Sequence, residues 1–447
     1  MPLTQELCDL LICPANNTPL VLKENVLSSG DDKSHYPIIN GVPWLLPNPQ
    51  NSLTDWGIKL NHFNQVLLSE IQNLEKEAAR AEGATLDRIK RLLVGKQAFI
   101  RRVSELLLPV VASKSGKKNI YDALNDRAPT TQNLLSYEAN LYRDWVWGEE
   151  ENSITADIVC SQIQGLDANK IVVLGAGAGR LALDVHKTCK SKMTVATDIN
   201  PLLVMAAEYL LQDQSFSLYE FPLQPKKTEF VAIEHQIKGE VKPEGFHFIF
   251  SDATKPCFKH GAFDTVLTPW FIDIQPLEFG RFLRQLNQYI PVGGYWVNFG
   301  SLVFNQRRDA LCYSIEEVVE LANVHGFEIE NIEEHNIPYL KSPYNAGHRI
   351  EHVWSWRAKK ITDVNTVKTT QNLPLWLLDE KQPIPQAQYF QQFSFTHRIY
   401  AQLSAEVDGR TSINKIARKL AKQNKIDETE ALNLTKKLFQ DIYRQNN

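Results

Sequence analysis

Three glycines and three acids carry the chemistry this chain can do. KIVVLGAGAGRL, at 170–181, runs from apolar residues into Gly175, Gly177 and Gly179. Glycines at alternate positions let the backbone turn sharply and let a ligand approach the start of the next helix. Asp198 and Asp252 each close a later apolar run. A carboxylate at Asp198 suits the neighbouring hydroxyls of a ribose. Asp273 ends FDTVLTPWFID, at 263–273, and can present an acid to a substrate beside a cofactor's reactive group. Trp270 and Phe271, just before it, can stack on an acceptor or shield a cationic centre.

The glycine spacing separates two cofactors. A dinucleotide fingerprint, GxGxxG, would put a small residue at position 180. That position is Arg180, itself a candidate cofactor contact, and the pattern is GxGxG. It resembles the first motif of S-adenosylmethionine (SAM) methyltransferases, whose turn abuts the amino-acid end and ribose of the cofactor. Their acid after the third strand meets the adenine amino group, a role that falls here to Asp252 with Ala253. SAM is therefore expected over NAD.

The elements that position these residues read as an α/β domain at 151–360. Strands are expected at 171–174, 193–197, 247–251, 265–269, 294–298 and 353–357. Helices are expected at 179–187, 201–212, 277–289 and 314–325. Such alternation predicts a doubly wound, mostly parallel sheet of Rossmann-like class. A long irregular loop at 333–351 is expected to lie over the site. Residues 1–48 read as a small β-rich unit, with turns at its prolines and at Asn40-Gly41. Apolar residues at three- and four-residue steps make 58–150 a helical segment and lid. A linker spans 361–385. The terminal unit, 386–447, holds helices near 395–403, 413–423 and 430–444, the last capped by Asp427.

Composition narrows the class. The chain has 447 residues, 43% hydrophobic and 22% charged, as in globular domains. Its net charge of -4 gives no case for nucleic-acid binding. No apolar run could span a membrane, and the acidic N-terminus is unlike a signal peptide, so a cytoplasmic protein is expected. Six scattered cysteines without a CxxC pair suggest reduced thiols and no metal site.

Longer motifs carry a family resemblance. NLYRDW at 140–145, VLGAGAGRLA at 173–182, TPWFID at 268–273 and PVGGYWVNFG at 291–300 resemble, in order, elements of the carnosine N-methyltransferase family. The resemblance implies that Asn140 and Arg143 bind the methionine end of SAM. It implies that Asp273 receives a substrate imidazole, and that Tyr339 or Tyr344 helps close the pocket. Asn305 stands where the family has a histidine, and Asn345-Ala346-Gly347-His348-Arg349-Ile350 replaces its tyrosine-rich segment. Asn305, Tyr344 and His348 thus join Trp270 and Phe271 as candidate acceptor contacts. The N-terminal unit resembles zinc-ribbon-like adaptor domains, with Asn16 in place of a cysteine and hence no zinc. The last unit resembles winged-helix-like peptide chaperones of the pyrroloquinoline quinone pathway, through Arg398-Ile399-Tyr400 and Asp408-Gly409-Arg410-Thr411.

The expected function is methyl transfer from SAM to an imidazole-type nitrogen of a histidine-containing small molecule, peptide or protein. The alternative is a non-catalytic SAM-binding adaptor or peptide-recognition protein.

Overall fold

The computed structural model describes residues 3–113, 133–304, 309–364, 383 and 388–446. The chain forms two compact units, Met1–Thr366 and Val367–Asn447.

The strands of the first unit are β1 (Leu20–Lys23), β2 (Val26–Ser29), β3 (His35–Ile39), β4 (Val42–Leu45), β5 (Lys170–Leu174), β6 (Met193–Asp198), β7 (Phe216–Glu220), β8 (Ile233–Ile237), β9 (Phe246–Ser251), β10 (Thr265–Pro269), β11 (Tyr295–Gly300), β12 (Phe327–Tyr339) and β13 (Arg349–Lys360). The helices are α1 (Gln5–Leu10), α2 (Pro49–Ala78), α3 (Gly83–Ala112), α4 (Glu138–Tyr142), α5 (Glu149–Ile163), α6 (Arg180–Cys189), α7 (Pro201–Leu210), α8 (Phe279–Tyr289) and α9 (Ile315–Val324).

Eleven strands make one sheet in the order β1-β2-β3-β4-β9-β6-β5-β10-β11-β13-β12, and β7 pairs with β8 alone. From β4 to β11 neighbours are parallel, while β13 runs antiparallel between β11 and β12. The central strand explains itself. After Lys170, IVVL is an apolar run with no polar face, as a strand covered on both sides requires. Ile171 and Val173 enter one core with residues of α2, α3, α5, α6 and α7. Val172 and Leu174 enter the other, with residues of α1, α8 and α9. Strand order reverses beside β5, so a crevice opens there at the carboxyl ends of the strands.

The N-terminal ribbon extends this sheet at its β9 edge. Trp44 pairs with Phe250 in the register and stacks on its ring, 3.6 Å between centroids.

One expectation is corrected. Residues 333–351 are mostly strand, because β12 reaches Tyr339 and β13 begins at Arg349. FEIENIEEHNIPY hides its period because only Phe327 and Ile337 in it are buried, ten residues apart. Cross-strand pairing holds it instead, including Arg357 with Glu330 at 3.2 Å.

The second unit packs α10 (Gln388–Ala405), α11 (Ile413–Asn424) and α12 (Glu428–Asn446) around Leu403, Ile416, Leu420 and Ala431. Asp408 accepts from the amides of Arg410 and Thr411, which pulls its carboxyl down to about 2. Most of the expected linker lies outside the described residues. No described helix is long and apolar enough to cross a membrane.

Candidate active site

The glycine turn is stitched to the next strand. Ala176 donates its amide to the Thr197 carbonyl at 2.9 Å. Gly177 donates to Asp198 Oδ2, and Asn200 to Asp198 Oδ1, both at 2.8 Å. The Ile199 amide also bonds this carboxylate, and its two oxygens still have lone pairs left to accept from a ligand. Burial raises the Asp198 carboxyl above its ordinary value, and these amides counter it only in part.

The glycines differ in what they make possible. All three have positive φ. A Cβ on Gly175 would meet the Phe271 ring at 2.5 Å, and one on Gly179 would meet the Phe248 ring at 2.3 Å. A Cβ on Gly177 would meet nothing within 4 Å, so that glycine borders open space. Gly175 and Gly179 admit rings of the protein; Gly177 faces the cavity.

The RDW segment supplies the facing wall. Residues Arg143–Trp147 form a π-turn, closed by the Gly148 amide on the Arg143 carbonyl at 2.9 Å. Such turns cluster at functional sites. Arg143 is held by Asp144 at 2.7 Å and Glu151 at 3.5 Å. Asn140 Oδ1 is buried and has no hydrogen-bond partner among the described residues. An orphaned acceptor at a cavity wall is costly unless a ligand's N–H group meets it.

At the other wall, β10 ends on a bend. Trp270 has φ 51, a rare value for a bulky residue. Its amide donates to the Phe299 carbonyl at 2.7 Å, which fixes that bend and swings 271–273 inward. Asp273 is 3% exposed. Ser301 donates its hydroxyl to Asp273 Oδ2 at 2.5 Å. Burial raises this carboxyl, and the bonds from Ser301 and from backbone amides only partly offset it.

The β12–β13 tip closes the mouth. Tyr339 pairs with Arg349 in the register, and the guanidinium sits 4.7 Å from its ring centroid. Trp270 lies 4.7 Å from the same ring on centroids. Arg349 also pairs with Glu351 at 3.1 Å.

A cavity of about 460 Å³ joins these walls. Asn140, Arg143, Gly175, Gly177, Asp198, Asp252 and Ala253 line it together with Trp270, Phe271, Asp273 and Tyr339. Four candidates stand elsewhere. Gly179 lies under Phe248, and Arg180 is drawn away by Asp184 at 2.9 Å and the Asp144 carbonyl at 3.2 Å. Tyr344 packs on Phe230 and His235, because its carbonyl and the Ala346 amide are bonded to Lys226 and Gln224. His348 is exposed and outside the cavity wall. Asn305 lies outside the described residues.

Tyr137, Ser301, Arg349 and Glu351 were not anticipated, yet all line the cavity. Tyr137 has φ 63, and its phenol is raised first by burial and then by the charges of Asp273 and Asp198. Among them only Ser301 had a sequence signal, since it follows the VNFG end of β11 as Asp273 follows β10.

A profile of the carnosine N-methyltransferase family matches residues 126–362. The chain belongs to the carnosine N-methyltransferase family. It is accordingly a SAM-dependent methyltransferase, and SAM is its cofactor. The matched span takes in both cavity walls and the β12–β13 tip. No curated protein matches the chain. Solved structures that resemble it include the YcgJ protein from Bacillus subtilis (11% identity, 47% of this chain and 99% of that one, TM-score 0.34). Another is a SAM-dependent methyltransferase from Methanosarcina mazei (14% identity, 46% and 97%, TM-score 0.32). A third is a phosphoethanolamine N-methyltransferase from Haemonchus contortus, bound to S-adenosylhomocysteine (12% identity, 52% and 60%, TM-score 0.34).

The cavity of this carnosine N-methyltransferase family member fits SAM by donor set. Asn140 Oδ1 is an acceptor without a donor, Gly177 leaves room beside the turn, and Asp198 keeps acceptor capacity.

Proposed function

We propose that the acceptor is the imidazole ring of a histidine-containing small molecule, peptide or protein, methylated on a ring nitrogen. The observation that carries this reading is Asp273, a buried carboxylate in the same cavity as the glycine turn.

SAM supplies an electrophilic methyl group on a sulfonium. The chain's own task is to hold donor and acceptor in line and to keep water out. Asn140 and Arg143 receive the methionine end, Arg143 as a fork for a carboxylate. Asp198 accepts from ribose hydroxyls, and Asp252 with Ala253 borders the adenine. A neutral imidazole has one nitrogen with a lone pair and one with a proton. Asp273 accepts the N–H, which fixes the tautomer and leaves the other nitrogen free to attack. It also stabilises the positive charge that develops on the ring, most effectively in a dry site. Ser301 keeps one carboxylate oxygen in place. Trp270, Phe271 and Tyr339 form the aromatic wall beside the developing cation.

The direct test is incubation with labelled SAM and a panel of imidazole compounds and histidine-containing peptides. Label on a ring nitrogen supports the reading. Label only on acceptors without an imidazole overturns it.

A further inference from the structure

Away from the methyl-transfer cavity, two thiols distant in sequence meet. Cys160 lies in the last turn of α5 and Cys189 ends α6. Their sulfurs are 3.8 Å apart. Both are partly exposed and neither is in a disulfide. They line a cleft of about 550 Å³ whose wall is mixed, with Ser161, Gln164, Asn169 and Lys190 beside Ile163 and Leu166. We infer that Cys160 and Cys189 form a dithiol site that reduces a low-molecular-weight disulfide and closes to an intramolecular bond.

Two features fit that chemistry. A disulfide bond is about 2.05 Å long, so the sulfurs need close by less than about 2 Å, within reach of side-chain rotation and small helix shifts. The pair also divides the labour of exchange. One S–H shared between the sulfurs holds the Cys189 thiol below its ordinary value, while the same contact and burial lift Cys160. The more acidic thiol is the better attacking group near neutral pH. Cys189 thiolate attacks one sulfur of the small disulfide, forms a mixed disulfide and expels one small thiolate. Cys160 then gives up its proton and attacks the Cys189 sulfur, which expels the second. Two protein thiols are oxidised, and one small disulfide becomes two thiols.

The bond would tie the far ends of two helices whose near ends build the cofactor cradle. Asn152, in the first turn of α5, lines that cavity, and α6 starts directly after Gly179. Since the sulfurs already touch in the arrangement that forms the cradle, oxidation should leave SAM affinity within about twofold.

The test is incubation of the full chain with glutathione disulfide, alkylation of the remaining thiols, and non-reducing peptide mapping. A linked pair of peptides carrying Cys160 and Cys189 is expected. In Cys160→Ser the reaction should stop with glutathione on Cys189, and Cys189→Ser should give no link. The inference is overturned if the treated wild-type chain yields both cysteines alkylated, or if glutathione stays on Cys189 while Cys160 is present. A loss of SAM affinity beyond tenfold on oxidation overturns the separation of this site from methyl transfer.

Discussion

The Ser301 hydroxyl donates to Asp273 Oδ2 at 2.5 Å, from the residue just after β11 to a residue just past β10. Adjacent parallel strands therefore build one acid between them. If Asp273 holds the acceptor, Asp273→Asn should lower turnover by roughly 100–1,000-fold and leave the SAM dissociation constant within about twofold. Ser301→Ala should cost less, roughly tenfold or somewhat more, since it loosens the acid without removing it. Calorimetric titration with SAM beside a methylation assay reads both. Full turnover in the asparagine variant would remove Asp273 from the chemistry.

The glycines should separate binding from folding. Gly177→Ala places a methyl at the open side of the turn and strains a positive φ. It should weaken SAM binding by tenfold or more and cost only the backbone strain, about 1 kcal/mol of stability. Gly179→Ala drives a methyl into the Phe248 ring and should cost roughly 2–4 kcal/mol of stability. Thermal unfolding and SAM titration of the two variants should show opposite patterns.

Stability should depend on pH through Glu138. Burial raises its carboxyl to about 7 in the folded chain, and the Tyr142 hydroxyl lies 2.9 Å away. The folded state thus holds a proton that the unfolded state, near 4.5, has lost. This contribution is full below about 4.5 and disappears as pH rises through 7. Glu138→Gln should flatten the change in denaturation midpoint across that window. An equally steep profile in the variant would assign the slope to other groups.

Lys360 is fully buried at the end of β13. Its ammonium donates to the carbonyls of Asn287 and Ile290, each at 2.7 Å, and to Asp363 at 2.6 Å. It caps the end of α8 from the sheet. Lys360→Met would strand two buried carbonyls and should cost about 3 kcal/mol in urea denaturation, without changing the SAM dissociation constant.

The glycine turn and the acids at the strand ends were readable because local chemistry fixes them. A turn such as 175–179 needs glycine whatever surrounds it, and Asp198 and Asp252 follow strands whose apolar runs are unmistakable. Helix α11 shows the same, expected at 413–423 and found at Ile413–Asn424. The rest of the cavity wall resisted for a physical reason. Tyr137, Arg349 and Glu351 reach the cavity through tertiary pairing, and no periodicity announces that. Strand β12 is held by partners on β13 rather than by a buried face. Arg180 and Tyr344 had suitable types, but Asp184 and the contacts with 224–226 take them elsewhere. Nothing in the spacing of Cys160 and Cys189 foretold their contact.

The antiparallel arm of β12 and β13 has an evolutionary consequence. Its roots are locked into the sheet beside β11, while its tip sets Tyr339, Arg349 and Glu351 at the cavity mouth. The glycine turn, Asp198 and Asp252, which the proposed function assigns to SAM, lie on other segments of the same cavity wall. The tip is anchored to the Arg143 wall, because Glu151, which pairs with Arg143, also accepts from the Leu340 and Lys341 amides, so under the proposed function a change of acceptor is written in the side chains of Tyr339, Arg349 and Glu351 and not in that backbone. A lineage could change its substrate by rewriting a few residues at the end of one hairpin.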